Sequence, residues 1–276
     1  EMLHCGRFKL SLEHPLIMGI VNVTPDSFSD GGLLPTASVA VEHALRLVDE
    51  GADILDIGGE STRPGAKPVP TGLELERIVP VLEALHGLGV PLSVDTQKPE
   101  VMVAAIRAGA SMINDVNALQ AEGALDAVAT SSAALCLMHK QGEPQTMQQE
   151  PRYQDVVAEV QEFLAARIAA VLAAGVARER LLIDPGFGFG KSLQHNLTLL
   201  RHLNRLDALG VPLLAGLSRK TMLGTITGSA VGERVHASVA AAVLAVMKGA
   251  RILRVHDVRA TRDALKVIKA VEREYE

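Results

Sequence analysis

One alternation, repeated eight times, restricts what this chain can fold into. A short aliphatic run exits into a polar loop containing Gly or Pro, and a longer stretch with one apolar face follows. The runs at 17–23, 54–57, 92–96, 112–116, 133–138, 181–184, 213–217 and 252–255 are rich in Val, Ile and Leu, as buried parallel strands require. The stretches between them carry the period of amphipathic helices. Ala37–Glu50 places Val41, Leu45 and Val48 together, and Thr71–Leu88 places Leu75, Ile78, Leu82 and Leu85. Val156–Ala174 does the same with Val160, Leu164, Ile168 and Val171. Pro99–Ala108, Ala124–Ala129, Leu193–Leu209 and Thr261–Tyr275 complete the helical set. No linker or charge block interrupts the repeats, so the expectation is a single-domain α/β fold over residues 1–276, a (β/α)8 TIM barrel. A doubly wound open sheet is the alternative, but regular repeats over about 250 residues favour closure. Loose alternation from Leu3 to Leu12 around Gly6-Arg7 predicts an N-terminal β-hairpin ahead of the barrel.

Composition agrees with a layered aliphatic core: 48% of residues are apolar, only 3% aromatic, and Trp is absent. A net charge of −5 speaks against a nucleic-acid partner, which calls for a basic surplus. Cys5 and Cys136 lack the spacing of a zinc site and are expected to be reduced thiols. No apolar stretch has the length of a membrane span, and the first residues lack a signal peptide's apolar core. A cytoplasmic protein with no membrane partner is therefore expected. The segment Glu233–Gly249 departs from the amphipathic pattern, because His236 to Met247 is apolar nearly all round. One face covers the barrel, and the other needs a partner, most simply a second copy in a homodimer.

Barrels of this kind place their ligand sites at the C-terminal ends of the strands. Asn22, Asp56, Asp95, Asn114, His139, Asp184, Lys220, Arg254 and His256 stand at or just beyond those ends. A cap or a turn accounts for any one of them, but not for nine at one face, so an active site is expected there. The sixth exit is the most constrained: Ile183-Asp184-Pro185-Gly186-Phe187-Gly188-Phe189-Gly190-Lys191. A carboxylate on a rigid strand end, followed by bare backbone and flat apolar faces, suits a planar ligand. The Gly190-Lys191-Ser192 ending matches the tail of a phosphate loop, but that motif needs Gly where Pro185 stands. The nucleotide-binding reading is rejected, and Lys191 is read as a solvated loop charge. Arg254 and His256, two apart on the eighth strand, point to one side. Closure makes the first strand their neighbour, so Asn22 is expected to converge with them.

Met18-Gly-Ile-Val-Asn22-Val-Thr-Pro-Asp-Ser-Phe28-Ser-Asp-Gly-Gly32 resembles the first signature of the dihydropteroate synthases. Gly51-Ala-Asp-Ile-Leu-Asp56-Ile-Gly-Gly-Glu-Ser-Thr62-Arg63-Pro64-Gly65 resembles the second. Ser93-Val-Asp95-Thr, Ile113-Asn114-Asp-Val, the Met138-His139 segment, the Asp184 loop, Ser218-Arg-Lys220 and Arg254-Val-His256 extend the likeness across nearly the whole chain. Two departures stand out: Lys140 where Met is common, and Thr221 where Ser is common. The resemblance implies condensation of 4-aminobenzoate with a dihydropterin methyl diphosphate. It places the pterin against Asp95, Asn114, Asp184 and Lys220, with Met138 and Phe189 as apolar walls. It places aminobenzoate among Thr62, Arg63, Pro64, Phe28, Phe189, Lys220 and Thr221. Diphosphate falls to Arg254 and His256, with Mg2+ as cofactor on Asn22. Asp95, Asp184, Lys220, Arg254 and His256 are the expected catalytic group. A folate-dependent methyltransferase domain and a non-catalytic pterin-binding homologue are the rival readings. The first has no need of the Thr62-Arg63-Pro64 run or the Arg254/His256 pair.

Overall fold

The computed structural model describes residues 1–24, 37–143 and 145–272. Strands β1 (Met2–Cys5) and β2 (Phe8–Ser11) form the antiparallel hairpin, Met2 opposite Ser11, with Gly6 in the left-handed turn. Eight parallel strands then close into a barrel: β3 (Leu16–Asn22), β4 (Ile54–Gly58), β5 (Leu92–Asp95), β6 (Met112–Asp115), β7 (Ala134–Met138), β8 (Leu181–Asp184), β9 (Leu213–Ala215) and β10 (Ala250–Val255). Closure runs through β10 against β3, with Arg254 opposite Met18 and Val255 opposite Gly19. The register levels the functional strand ends, pairing Gly58 with Asp95, Asp95 with Asn114, and Met138 with Asp184.

Two cores follow from the two faces of the strands. Outward-facing residues such as Ile57, Val94, Leu137 and Ile183 pack with the helices. Inward-facing Met18, Ile54, Met112, Cys136, Leu182 and Ile252 pack with Leu3, Cys5 and Leu12, so the hairpin plugs the barrel. Both cysteines are buried free thiols, and burial pushes Cys5 up to about 12.

The surrounding helices are α1 (Ala37–Asp49), α2 (Thr71–Leu85), α3 (Pro99–Arg107), α4 (Ala124–Ala129), α5 (Val156–Ala173), α6 (Leu193–Arg201), α7 (Thr221–Thr227), α8 (Val235–Met247) and α9 (Val258–Glu272). Their starts are local. Pro99 sits in the first turn of α3, Asp155 caps α5 by accepting from Val157 N and Ala158 N, and Ser192 and His195 form a capping box on α6. Three expectations shift. The helix expected over Leu193–Leu209 stops at Arg201, and a 3-10 segment, Leu203–Leu209, continues it. The last helix begins at Val258 rather than Thr261, while its expected end at Tyr275 lies outside the described residues. Helix α7 has no counterpart in the sequence reading, because Gly224 and the threonines at 221, 225 and 227 are weak helix formers. Among the described residues, no helix is long and apolar enough to cross a membrane.

Candidate active site

Four polar side chains meet inside the barrel mouth. Arg254 Nε donates to Asp56 Oδ2 at 2.7 Å and Nη2 to Asp95 Oδ2 at 3.3 Å. Asn114 Nδ2 donates to the same Asp56 oxygen at 3.1 Å. One guanidinium thus faces two buried carboxylates, and each keeps one oxygen, Asp56 Oδ1 and Asp95 Oδ1, without a partner among the described residues. Leaving a buried acceptor unpaired is costly, so such atoms mark places where a ligand completes the structure. Burial raises the Asp95 carboxyl above its usual range; Arg254 opposes the shift and the neighbouring Asp56 adds to it. In the sequence Asp56 is one strand-end residue among nine, and this cluster is what distinguishes it.

Asp184, at the end of β8, accepts from Gly186 N through Oδ1 at 2.8 Å. Burial raises its pKa, and Lys220 is the leading opposing charge. Lys220 Nζ donates to Phe187 O at 2.5 Å and lies 5.0 Å over the Phe189 ring. Burial pushes Lys220 down to about 8, against the pull of Asp184. Met138 is buried on the adjacent strand. These residues lie on neighbouring strand ends of the mouth, whereas Thr221, the first residue of α7, is exposed. Arg219, just before Lys220, adopts a left-handed φ of 56°. It is held by Ser238 Oγ, which accepts its backbone N–H, and by a two-point ion pair with Asp257.

His256 differs from a simple cation. Its backbone N–H donates to Ser218 Oγ at 3.1 Å, and its Nδ1 lies 2.8 Å from the same hydroxyl. Burial, with Arg254, Arg219 and Arg63 nearby, pushes it down to about 3, so it is a neutral imidazole at pH 7. Arg254, expected to meet diphosphate, is paired with Asp56 and Asp95. Asn22 ends β3, and its side-chain amide has no hydrogen-bond partner among the described residues. A β-carbon on Gly58 would sit 3.5 Å from Asn22 Oδ1 and 3.9 Å from Asp95 Oδ2, so the glycine leaves both oxygens facing one small space. Among the described residues, no group of three or more His, Cys, Asp or Glu could hold a metal by itself.

The loop after β4 carries half-buried Thr62 and exposed Arg63 and Pro64. Arg63 is near enough for its charge to be felt at His256. Phe28 lies outside the described residues. Lys191 overturns its expectation outright: it is fully buried rather than solvated, with Nζ donating to Gly186 O at 2.8 Å and Phe189 O at 3.1 Å. A charged residue beside glycines reads as surface in a linear sequence, and only the folding of its own turn around it makes it interior.

A closed parallel barrel that gathers carboxylates, an amide and a lysine at the C-terminal ends of its strands has the architecture of a barrel enzyme's active site. The pterin binding enzyme family matches residues 18–256. A dihydropteroate synthase of Neisseria meningitidis serogroup B is 55% identical over 273 residues, covering 96% of each chain. The Xanthomonas albilineans dihydropteroate synthase with 4-aminobenzoic acid superposes with a TM-score of 0.94 at 58% identity, covering 99% of both chains. The same enzyme in complex with 7,8-dihydropteroate gives 0.91 at 55% identity, covering 100% of both. This chain belongs to the pterin binding enzymes and, within them, to the dihydropteroate synthases.

Proposed function

We propose that the chain condenses (7,8-dihydropterin-6-yl)methyl diphosphate with 4-aminobenzoate by losing diphosphate before the amine attacks. The supporting observation is the pair of unpartnered buried oxygens, Asp56 Oδ1 and Asp95 Oδ1, beside Asn114 and Asp184. A pterin edge supplies the N–H donors such acceptors lack, and Lys220 supplies a donor for the ring carbonyl. In the first step the methylene C–O bond breaks and its electron pair leaves on diphosphate. The remaining cation is delocalised over the pterin. The aryl amine then forms the C–N bond, and its surplus proton passes to solvent or the released anion. An arylamine is unprotonated at neutral pH, so no strong general base is required. Catalysis is electrostatic, with Asp95 and Asp184 facing the developing positive charge.

The departing anion meets Arg254 and His256. Ser218 Oγ already accepts the His256 backbone N–H, so its own proton is available to Nδ1. That leaves the second ring nitrogen protonated, a neutral donor aimed at phosphate oxygen. Magnesium fits beside Asn22, whose unpartnered amide oxygen is a hard ligand. Such an ion takes most of its remaining ligands from phosphate and water and would neutralise the leaving group. Arg63 on its loop is suited to the aminobenzoate carboxylate, with Thr62, Pro64, Phe189 and Thr221 around the ring.

The exposed apolar face of α8 supports a homodimer. Ser238, Ala241, Ala242 and Ala245 are buried inward, while Leu244 is 49% and Met247 73% exposed, with Ile226 and Val267 exposed on the flanking helices. A monomeric mass by light scattering at micromolar concentration overturns the dimer. For the reaction, calorimetry with the pterin diphosphate and magnesium, followed by 4-aminobenzoate in a diphosphate-release assay, is the test. Binding followed by release is expected; binding without release would mark a non-catalytic pterin binder.

A further inference from the structure

Lys191 takes no part in the chemistry above, yet it is the most deeply buried cationic side chain near the site, with 0% exposure. Its Nζ contacts two atoms of His139, Nδ1 at 2.9 Å and O at 3.5 Å, and in its own turn the carbonyls Gly186 O at 2.8 Å and Phe189 O at 3.1 Å. Both carbonyls belong to the turn that runs from Asp184 to Phe189. Gly186 and Gly190 hold left-handed φ values of 72° and 65°, and a β-carbon at either would strike a backbone carbonyl of the β7 exit, His139 O or Gln141 O. The turn is thus laid directly on the neighbouring strand end, and Lys191 reaches back inside it. The outer side is tied as well. Gln148 Oε1 accepts from Gly190 N and Lys191 N at 2.8 and 3.1 Å, and Tyr153 Oη donates to Gly190 O at 2.7 Å.

We infer that Lys191 is a positioning residue for the pterin subsite: its buried amine pins the turn that orients Asp184 and Phe189 before the ligand arrives. Burying an amine is unfavourable, and burial drives its pKa well below the ordinary lysine value. The pin survives either protonation state. As an ammonium it donates to both carbonyls and to His139 Nδ1. As a neutral amine it donates to both carbonyls and accepts from His139 Nδ1–H, since His139 is pushed down to about 3 and stays neutral. The two carbonyls remain bonded, so the turn keeps its shape. A shape fixed along its length holds Asp184 where Gly186 N meets its carboxylate and Phe189 where Lys220 stacks on it.

The inference rests on the pterin-subsite reading of Asp184 and Phe189. The test compares Lys191→Met, which keeps length and removes the donors, with Asp184→Asn. Titrations use the dihydropterin diphosphate and inorganic diphosphate separately, each with magnesium. Lys191→Met is expected to weaken the pterin ligand by about 10- to 100-fold while inorganic diphosphate binds as before, with the loss carried by KM more than by kcat. A folded Lys191→Met protein with a lowered melting temperature and unchanged pterin affinity overturns the positioning role. If Asp184→Asn binds the pterin as the parent does, the subsite reading itself fails, a result distinguishable from the first. Should Lys191→Met not fold, amide hydrogen exchange on the unmutated chain decides. Slow exchange across 186–191 before and after pterin is expected, and fast exchange that slows only with pterin overturns the inference.

Discussion

Two glycine-rich loops leave the barrel mouth, one after β8 and one after β4, and each is served by a lysine used in a different way. In the β8 loop, Lys191 bonds backbone carbonyls from within, and Gln148 and Tyr153 bond the backbone from outside. In the β4 loop, the lysine comes from elsewhere and ties only the ends. Glu60 Oε2 accepts from Val69 N at 2.6 Å and Lys98 Nζ at 2.8 Å, and Lys98 also pairs with buried Glu74 at 2.5 Å. Arg77 fixes the entry through Gly59 O at 2.8 Å. Between those anchors Arg63, Pro64, Gly65, Lys67 and Pro68 are exposed. A cation bonded to carbonyls along a turn fixes its shape, whereas one bonded to side-chain carboxylates at its base fixes only the endpoints. The first arrangement suits a preformed pocket for a rigid ring. The second suits an arm that closes over a later ligand.

Experiments that perturb one loop at a time break or sharpen this contrast. The largest effect is expected on the pinned side, where Asp184→Asn keeps shape and removes charge, lowering kcat/KM by about 10²–10³-fold in steady-state assays. A change confined to the aminobenzoate KM would erase the distinction between the loops. Lys98→Met leaves Glu60 and Glu74 without their cation, and a cost of about 3 kcal/mol in urea unfolding is expected. Its kinetic signature is a raised KM for 4-aminobenzoate and faster amide hydrogen exchange across 65–67, with pterin affinity retained. Gly186→Ala forces a β-carbon against His139 O at positive φ, so about 2 kcal/mol of stability is lost and pterin affinity falls with it. If Gly186→Ala acted on aminobenzoate alone, the pinned turn would not belong to the pterin subsite.

The smallest effect concerns pH. His139 beside the pinned loop and His256 near Arg63 both titrate near 3 in the folded protein rather than near 6.5. At these two histidines the unfolded chain binds more protons between those limits, so their contribution to stability falls as pH drops from 6.5 toward 3, against the opposite contribution of the raised Asp95 and Asp184 carboxyls. Urea midpoints are compared across that window, and His256→Gln is expected to lower the slope of stability against pH by about one proton equivalent relative to the parent. An unchanged slope would mean that His256 titrates normally in the folded state.

Much of this was legible beforehand, for identifiable reasons. The barrel strands announce themselves because buried parallel strands need continuous aliphatic runs, as at 54–57 and 181–184. Helix starts at Pro99 and Ser192 carry their own capping chemistry. Asp95, Asn114, Asp184 and Lys220 could be gathered from their places at strand ends. Helix α7 could not be read, since Gly224 and three threonines in seven residues are weak helix formers. The loop after β4 presents Thr62-Arg63-Pro64 as a motif, but nothing local says that Lys98, 38 residues from Glu60, ties its base.

The order and period of elements determined that this chain closes into a barrel with one polar mouth, because periodicity and strand-end placement are local properties that survive in a linear string. Which charges meet there was decided only by the tertiary structure. Arg254 reaches Asp56 across 198 residues, and Lys191 reaches His139 across 52. An ionic group's state depends on who surrounds it and how much water is excluded, and neither is written at its own position. So Lys191, which reads as a solvated charge, becomes the interior pin of the loop, and Arg254, which reads as a cation for diphosphate, is held between two carboxylates.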